Sequence, residues 1–547
     1  MRKLLLASVA TLGTVGLMGS AFAQSTTVVT TAPVALPPVP TQGQAAWTPA
    51  AAPPAGANNN NNYQAPALPG PVANPTPGTM VVHINGKVEV DGWGLWSSAD
   101  KRSVTAPAGS PGGPALAAGA ATPTATSLGN NGTGTVSVNP QGIGTFARLY
   151  AGADAMATNG LRYGAAIEIR ENFTGQISGN ASSGASGFTS EETLFVRRAF
   201  TYVAGENWGI FRVGQADGII GIFDNGVTTF QFLPTGNLNG GDLQDFPGNV
   251  SPTFVFMGQA GNEYGNSKAV YLSPQIAGFD FGLQYAPNTA NAFGEGNNNE
   301  NGLANVNAGA GTGTGLGCTV ANSGCPQLSS GPGAQDGSRA VNQVAVGVRY
   351  QGAFGPVGVL AYGVYMGSGH ATYTGAASNT AAGVANLGNA TTGGTASRFT
   401  GNYNGLSLGS AGLAVTAAGF TVGGNVIFGR DNGQLGLQPQ GGAPMAGFLA
   451  GVKYVAGPFT AGIVGEEFTE QGNVNLTGIT QLRARAVDFG VSYTVAPGYT
   501  VYSEYLWQDQ YQGARNFISG AVGSAAGSNL NNEIRGQGFL VGNVVNF

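Results

Sequence analysis

From Met80 onward, apolar and polar residues alternate with the period of two that belongs to an extended strand, not the 3.6 of a helix. In VVHINGKVEVDGW, Val82, Ile84, Val88 and Val90 lie on one side, and His83, Asn85, Lys87, Glu89 and Asp91 on the other. In LRYGAAIEIR, Leu161, Tyr163, Ala165, Ile167 and Ile169 oppose Arg162, Gly164, Ala166, Glu168 and Arg170. Stretches of this texture predict sixteen strands, at 80–96, 143–154, 160–172, 192–204, 209–215, 267–274, 278–286, 341–351, 357–368, 411–417, 420–430, 447–456, 459–468, 481–495, 499–509 and 534–547.

The connections alternate in length. Short turns at 156–159, 205–208, 275–277, 352–356, 457–458 and 497–498 separate long stretches rich in Gly, Asn, Ser and Thr. The long ones are 97–142, 173–191, 216–266, 287–340, 369–410, 431–446, 469–480 and 510–533. In an up-and-down sheet this parity gathers every long loop at one rim, as in outer-membrane barrels with short periplasmic turns. Closure also leaves no unpaired strand edge in hydrocarbon. The fold class expected is therefore all-β, a 16-stranded antiparallel transmembrane β-barrel with long extracellular loops, over residues 80–547. A large soluble all-β domain shares the alternation but gives no reason for the parity. Trp93, Trp96, Tyr202, Trp208, Tyr285, Tyr454, Tyr505 and Trp507 fall near strand ends, where interfacial girdles form.

The amino-terminal region has a different texture. Residues 1–23 carry Arg2 and Lys3, an apolar run, and a small-x-small close at Ala21–Ala23, the pattern of a signal peptide cleaved before Gln24. Residues 24–79 contain no Asp, Glu, Lys or Arg, many prolines and the run Asn58–Asn62, so they read as a disordered periplasmic linker. Contact with the cell wall through this linker is an open alternative.

Composition narrows the function. Charged residues make up 9% of 547, the net charge is −5, and there are 93 glycines. No basic stripe exists to neutralise phosphates, which argues against a nucleic-acid partner. The nearest approach to a long charge-free apolar run past the leader, 411–429, holds five glycines and two threonines, which argues against a helical membrane bundle. His83 and His370 are the only histidines, and no carboxylate or cysteine joins them at ligand spacing, so neither a metal centre nor a cofactor is expected. Gly405–Gly409 matches a nucleophile-elbow pattern around Ser407, but in a Gly-rich loop without the strand-to-helix setting, and no catalytic residue is assigned. Cys318 and Cys325 lie in one long loop, either as a small local disulfide, which an oxidising location favours, or as a free pair.

Alternation assigns Lys87, Arg148, Arg162, Arg170, Arg197 or Arg198, Arg212, Lys453, Arg483 and Arg485 to the inner wall, with Glu89, Glu168, Glu466, Asp488 and Glu504 as acidic members. Adjacent Arg197 and Arg198 cannot both point inward on a regular strand, so one is lost to a bulge, a rim position or a subunit seam. The connection after 209–215 differs from the other long ones. It carries Asp217, Asp224, Asp242 and Asp245, no Lys or Arg through Val250, and the apolar segments GIIGIF and FQFLP.

Beyond these readings, the chain resembles the bacterial outer-membrane general porins of alphaproteobacterial type. The resemblance rests on the leader, VVHINGKVEVDGW, ETLFVRRAFTYVAGENWGIFRVGQADG, SKAVYLSPQIAGFDFGLQYAP and the terminal Phe547. It implies that the third long loop folds into the barrel, placing its four aspartates at a constriction opposite guanidinium groups. It also implies a homotrimer in outer-membrane lipid, and Phe547 as the assembly signal read by the barrel-assembly machinery. The linker before residue 80 departs from the family pattern. The function expected is a water-filled channel for passive diffusion of small hydrophilic solutes and ions. The alternative is a structural or adhesive barrel with surface-loop binding and cell-wall tethering.

Overall fold

The computed structural model describes residues 75–98, 101–105, 133–137, 141–172, 195–223, 233, 267–288, 340–370, 403–432, 437–473, 476, 480–517 and 532–547. The signal-peptide assignment lies outside them, as does the linker assignment up to residue 74; residues 75–78 lead into β1, and Thr79, the last residue assigned to the linker, opens that strand. The strands are β1 Thr79–Ser97, β2 Lys101–Thr105, β3 Thr133–Ser137, β4 Gln141–Met156, β5 Arg162–Asn172, β6 Phe195–Gly205, β7 Gly209–Gln215, β8 Ser267–Leu272 and β9 Phe279–Asn288. They continue as β10 Ala340–Phe354, β11 Val357–His370, β12 Ser407–Ala417, β13 Phe420–Arg430, β14 Met445–Ala456, β15 Phe459–Glu470, β16 Leu482–Ala496, β17 Tyr499–Tyr511 and β18 Glu533–Asn546. A single helical turn, α1 (Ile219–Phe223), follows β7.

Sixteen of the strands form one closed antiparallel barrel in which each pairs with its sequence neighbours, and β1 closes the ring between β4 and β18. β2 and β3 pair with each other as a separate two-stranded antiparallel sheet within 97–142, which the alternation pattern predicts as a loop. Five-residue strands without a sustained alternation carry little signal, which is why they escaped it.

Strand polarity follows the membrane. Val82, Ile84, Val88 and Val90 are exposed on the outer face of β1, while Lys87, Glu89 and Asp91 are buried on the inner face. Val487 and Phe489 on β16, Tyr505 on β17, and Phe539, Val541 and Val545 on β18 continue the exposed apolar exterior. Trp208, Tyr285, Tyr454 and Tyr505 are exposed, as interfacial aromatics are, whereas Tyr202 is buried. Its hydroxyl donates to Asp154, so this residue serves the interior and not the girdle.

The short rim is made by tight turns. Ala418 (φ 51°) and Gly419 (φ 83°) are both left-handed between β12 and β13, the geometry that suits a two-residue hairpin to the twist of its strands.

The chain end completes the ring. Phe547 donates its amide to the Gly86 carbonyl at 3.0 Å, and Gly86 returns the bond to the Phe547 carbonyl at 2.9 Å. A Cβ on Gly86 would lie 2.6 Å from the Arg148 carbonyl oxygen and 2.7 Å from Phe547 Cζ. Gly86→Leu is therefore expected to reduce the compact, heat-modifiable band on unboiled gels. Gly92→Leu, whose Cβ meets only the Val541 carbonyl oxygen at 3.9 Å, should leave it intact.

Candidate pore interior

The interior divides into a wall dominated by cations and a wall dominated by carboxylates. The cationic wall runs over β4 to β10 and holds the segment Ala216–Phe223 against its inner side. Arg198 of β6 grips Asp217 with both edges of its guanidinium, Nε to Oδ2 at 2.5 Å and Nη2 to Oδ1 at 2.7 Å. Its remaining nitrogen, Nη1, donates to Glu168 of β5. Arg148 of β4 approaches the other oxygen of Glu168 at 3.6 Å.

Main-chain carbonyls of the segment are held as well. Lys268 Nζ donates to Ala216 O at 2.7 Å, Arg212 donates to Asp217 O, and Arg349 Nη1 donates to Ile222 O at 3.2 Å. Arg349 also forms a two-bond pair with Asp280, at 2.5 and 3.1 Å, and its guanidinium carbon stands 4.8 Å from the centre of the Phe223 ring. The Ile219 amide donates to Gln284 Oε1 at 2.8 Å. Ile219, Ile220, Ile222 and Phe223 are buried, and α1 packs on β9, β10 and β11. The seat is glycine-lined, because a Cβ on Gly282 or Gly347 would collide with Ile219. The apolar GIIGIF motif thus packs on the barrel wall, as the in-folded loop requires.

The other wall carries Glu466 on β15, Asp488 on β16, Glu504 on β17, and Glu89 and Asp91 on β1, all buried. Lys87 pairs with Glu89. The Tyr502 hydroxyl lies 2.6 Å from both Glu89 Oε1 and Asp91 Oδ1. Gly542 of β18 makes that reach possible, since its Cβ would fall 1.8 Å from Asp91 Oδ1 and 2.7 Å from the Tyr502 ring. Among the described residues, no three of the His, Cys, Asp or Glu side chains converge closely enough to hold a metal ion. These carboxylates are spread along a surface.

The residues named from sequence fall into several groups. Lys87, Arg148, Arg162 and Arg212 are buried on inward positions, and Lys453 occupies an inward position of β14. The Arg197/Arg198 ambiguity resolves at a register shift: Glu168 pairs with Arg198 and Ile169 with Val196, so Arg197 is the bulged residue and Arg198 the inward one. Arg170 lies in β5 opposite Arg148 and Phe195.

Arg483 and Arg485 need correction, because they share the outer face of β16 with exposed Val487 and Phe489. Charge on a strand reads as a sign of the lumen. Strand parity overrides it near a rim, where a guanidinium reaches the headgroup layer. Asp224, Asp242, Asp245, Cys318 and Cys325 lie outside the described residues. Lys268, Arg349, Asp280 and Gln284 were missed, although Gln343, Ala345, Gly347 and Arg349 form one alternating series that parity alone exposes. Ser407 begins β12 and its hydroxyl contacts the Tyr365 hydroxyl at 3.1 Å.

A closed barrel with an apolar exterior, a charged interior and a segment seated inside defines an outer-membrane β-barrel of porin architecture. The family model described as Gram-negative porin matches residues 105–510, and the chain belongs to that family. It is an outer-membrane protein of a Gram-negative bacterium. Among solved structures it is similar to OmpTdeltaL8, a loop L8 deletion mutant of OmpT from Vibrio cholerae (12% identity, 86% of this chain and 99% of that one, TM-score 0.42). It is also similar to the anion-selective porin from Comamonas acidovorans (12% identity, 86% and 100%, TM-score 0.43) and to Salmonella typhi OmpF in complex with daunomycin (12% identity, 85% and 97%, TM-score 0.43). No curated protein matches the chain.

Proposed function

We propose that this protein is a diffusion porin of alphaproteobacterial type, which lets small hydrophilic solutes and ions pass down their gradients without catalysis or a cofactor. The observation that carries the reading is the seating of Ala216–Phe223 on a cationic inner wall that faces a carboxylate wall within one barrel. Opposed fixed charges in a narrow water-filled passage orient dipolar solutes and penalise apolar ones. The loop that begins at Asp217 and continues through Asp224, Asp242 and Asp245 forms the constriction in this reading. The working form is a homotrimer in outer-membrane lipid, inserted by the barrel-assembly machinery through the Phe547 end.

Liposome swelling tests the activity. Vesicles holding the purified protein are expected to take up small sugars at rates that fall with solute size. No uptake beyond that of empty vesicles would refute the channel. Asp242→Asn or Asp245→Asn should move the reversal potential under a salt gradient toward anions, and less so at high ionic strength, where screening shortens the reach of fixed charge. An unmoved potential would remove these residues from the passage.

A second reading, a structural or adhesive barrel, draws on the burial of the inner side chains, Asp488 at 0% and Glu504 at 1% exposure. Such a scaffold would bind through its surface loops and remain impermeable in the same swelling experiment.

A further inference from the structure

At the rim of short turns the barrel is open on one side of β1. β18 accompanies β1 down to Lys87, opposite Asn546, and Gly86 ends that ladder on Phe547. On the other side, β4 stays paired with β1 as far as Thr79, opposite Met156. Among the described residues, no strand pairs with the second edge of 79–85.

Backbone parity decides which groups face this gap. Successive residues of a strand send their N–H and C=O to opposite edges. Gly86 exchanges both of its bonds with Phe547, so Met80, Val82 and Ile84 direct their amides and carbonyls the same way, past the chain end. Val81, His83 and Asn85 direct theirs toward β4. The side chains of Met80, Val82 and Ile84 are 58%, 69% and 66% exposed, against 40% and 37% for Val88 and Val90, where β18 runs alongside.

A free edge with apolar side chains is a template for another strand. Sheets usually guard such edges with Lys, Pro or an inward-pointing charge. The sequence TMVVHIN over 79–85 contains no Lys, Arg, Asp, Glu or Pro. Nor does an open edge persist against lipid, where its donors and acceptors find no water.

The chain carries a segment suited to this edge. Residues 26–31 read TTVVTT, six consecutive β-branched residues without charge or proline. Twelve prolines interrupt 33–77, and its longest proline-free intervals, 41–48 and 55–65, are rich in Gly, Ala, Gln and Asn. A six-residue strand is about 20 Å long, which matches most of the free edge. Residues 32–78 are long enough to bring it back, since an extended chain covers about 3.3 Å per residue. The tether also makes the pairing intramolecular, which favours this segment over a free peptide.

We propose that residues 26–31 add to the open edge of β1 as a further strand, pairing with Met80, Val82 and Ile84 of the same chain. The edge is thereby sealed, and 32–78 becomes a loop closed at both ends on the side of the short turns. The inference does not depend on the channel reading.

Amide hydrogen exchange of the full-length protein in lipid nanodiscs, resolved to single residues, tests the pairing. Met80, Val82 and Ile84 should exchange about as slowly as Val81 and His83, which β4 protects. In V28P/V29P, which keeps the chain length but cannot form the ladder, the first three should exchange at least about tenfold faster, and Val81 and His83 should not change. The substituted residues lie outside the ring, so the compact band on unboiled gels should persist. A cysteine scan identifies the donor chain. With Cys318 and Cys325 replaced by serine, I84C is combined in turn with T27C, V28C, V29C or T30C. At least one pair should form a disulfide within a single chain.

Rapid exchange of Met80, Val82 and Ile84 in the native protein would overturn the proposal, because no strand would then cover the edge. Protection that survives V28P/V29P would assign the edge to a different segment, with the same consequence. Disulfides formed solely between two chains, or at none of the four positions, would also reject pairing within one chain.

Discussion

Replacing Arg198 with methionine is expected to destabilise the barrel more than any other single change in the inner wall. Arg198 is 2% exposed and is bonded to two carboxylates, Glu168 and Asp217. Methionine fills much of the volume but leaves both acids without their shared cation. Breaking a buried pair by deleting one partner costs about 3–5 kcal/mol, because the remaining charge stays desolvated. Arg148, 3.6 Å from Glu168, compensates only one of the two. Urea unfolding in lipid vesicles, followed by tryptophan fluorescence, should show the midpoint falling in R198M. It should recover in part when Glu168→Gln and Asp217→Asn are added, since the orphaned charges are then gone. A midpoint unchanged in R198M would mean that the trio is hydrated and contributes little.

Phenylalanine at Gly282 or Gly347 should enlarge the passage instead of unfolding the barrel. A Cβ at Gly282 would lie 2.4 Å from Ile219 Cδ1 and 3.1 Å from Phe223 Cζ. At Gly347 the distances are 2.8 Å to Ile219 Cγ2 and 3.0 Å to Phe223 Cδ2. Overpacking of this kind costs about 1–3 kcal/mol. The strands are locked on both edges by ladders, whereas α1 is one turn long, so α1 is the element that yields. Swelling rates for larger sugars should rise in G282F and G347F while the compact band on unboiled gels persists. An unchanged size limit with an intact barrel would show that α1 does not restrict the passage.

Much of the architecture was legible before any coordinates. Alternation in VVHINGKVEV and LRYGAAIEIR marks the lipid face and the inner face, because hydrocarbon on one side and charge on the other impose a period of two on each strand. The parity of loop lengths then orders the strands around the ring. The sixteen-strand count and the in-folding of the apolar GIIGIF segment follow from those features and from the family resemblance.

Alternation assigns a side of the sheet but neither a depth nor a neighbour. Depth decided the fate of Arg483 and Arg485, whose outward positions are tolerable only because they stand at the rim. Register decided which of Arg197 and Arg198 reaches the interior, through a bulge that shifts the pairing by one residue. Closure alone brings Tyr502 to Glu89, 413 residues away, across the gap left by Gly542. The two glycines that receive α1 are separated from it by strands that become neighbours only in the folded ring. Such contacts depend on how far each strand slides against the next, a quantity fixed by the whole set of ladders and turns and by no local stretch of sequence.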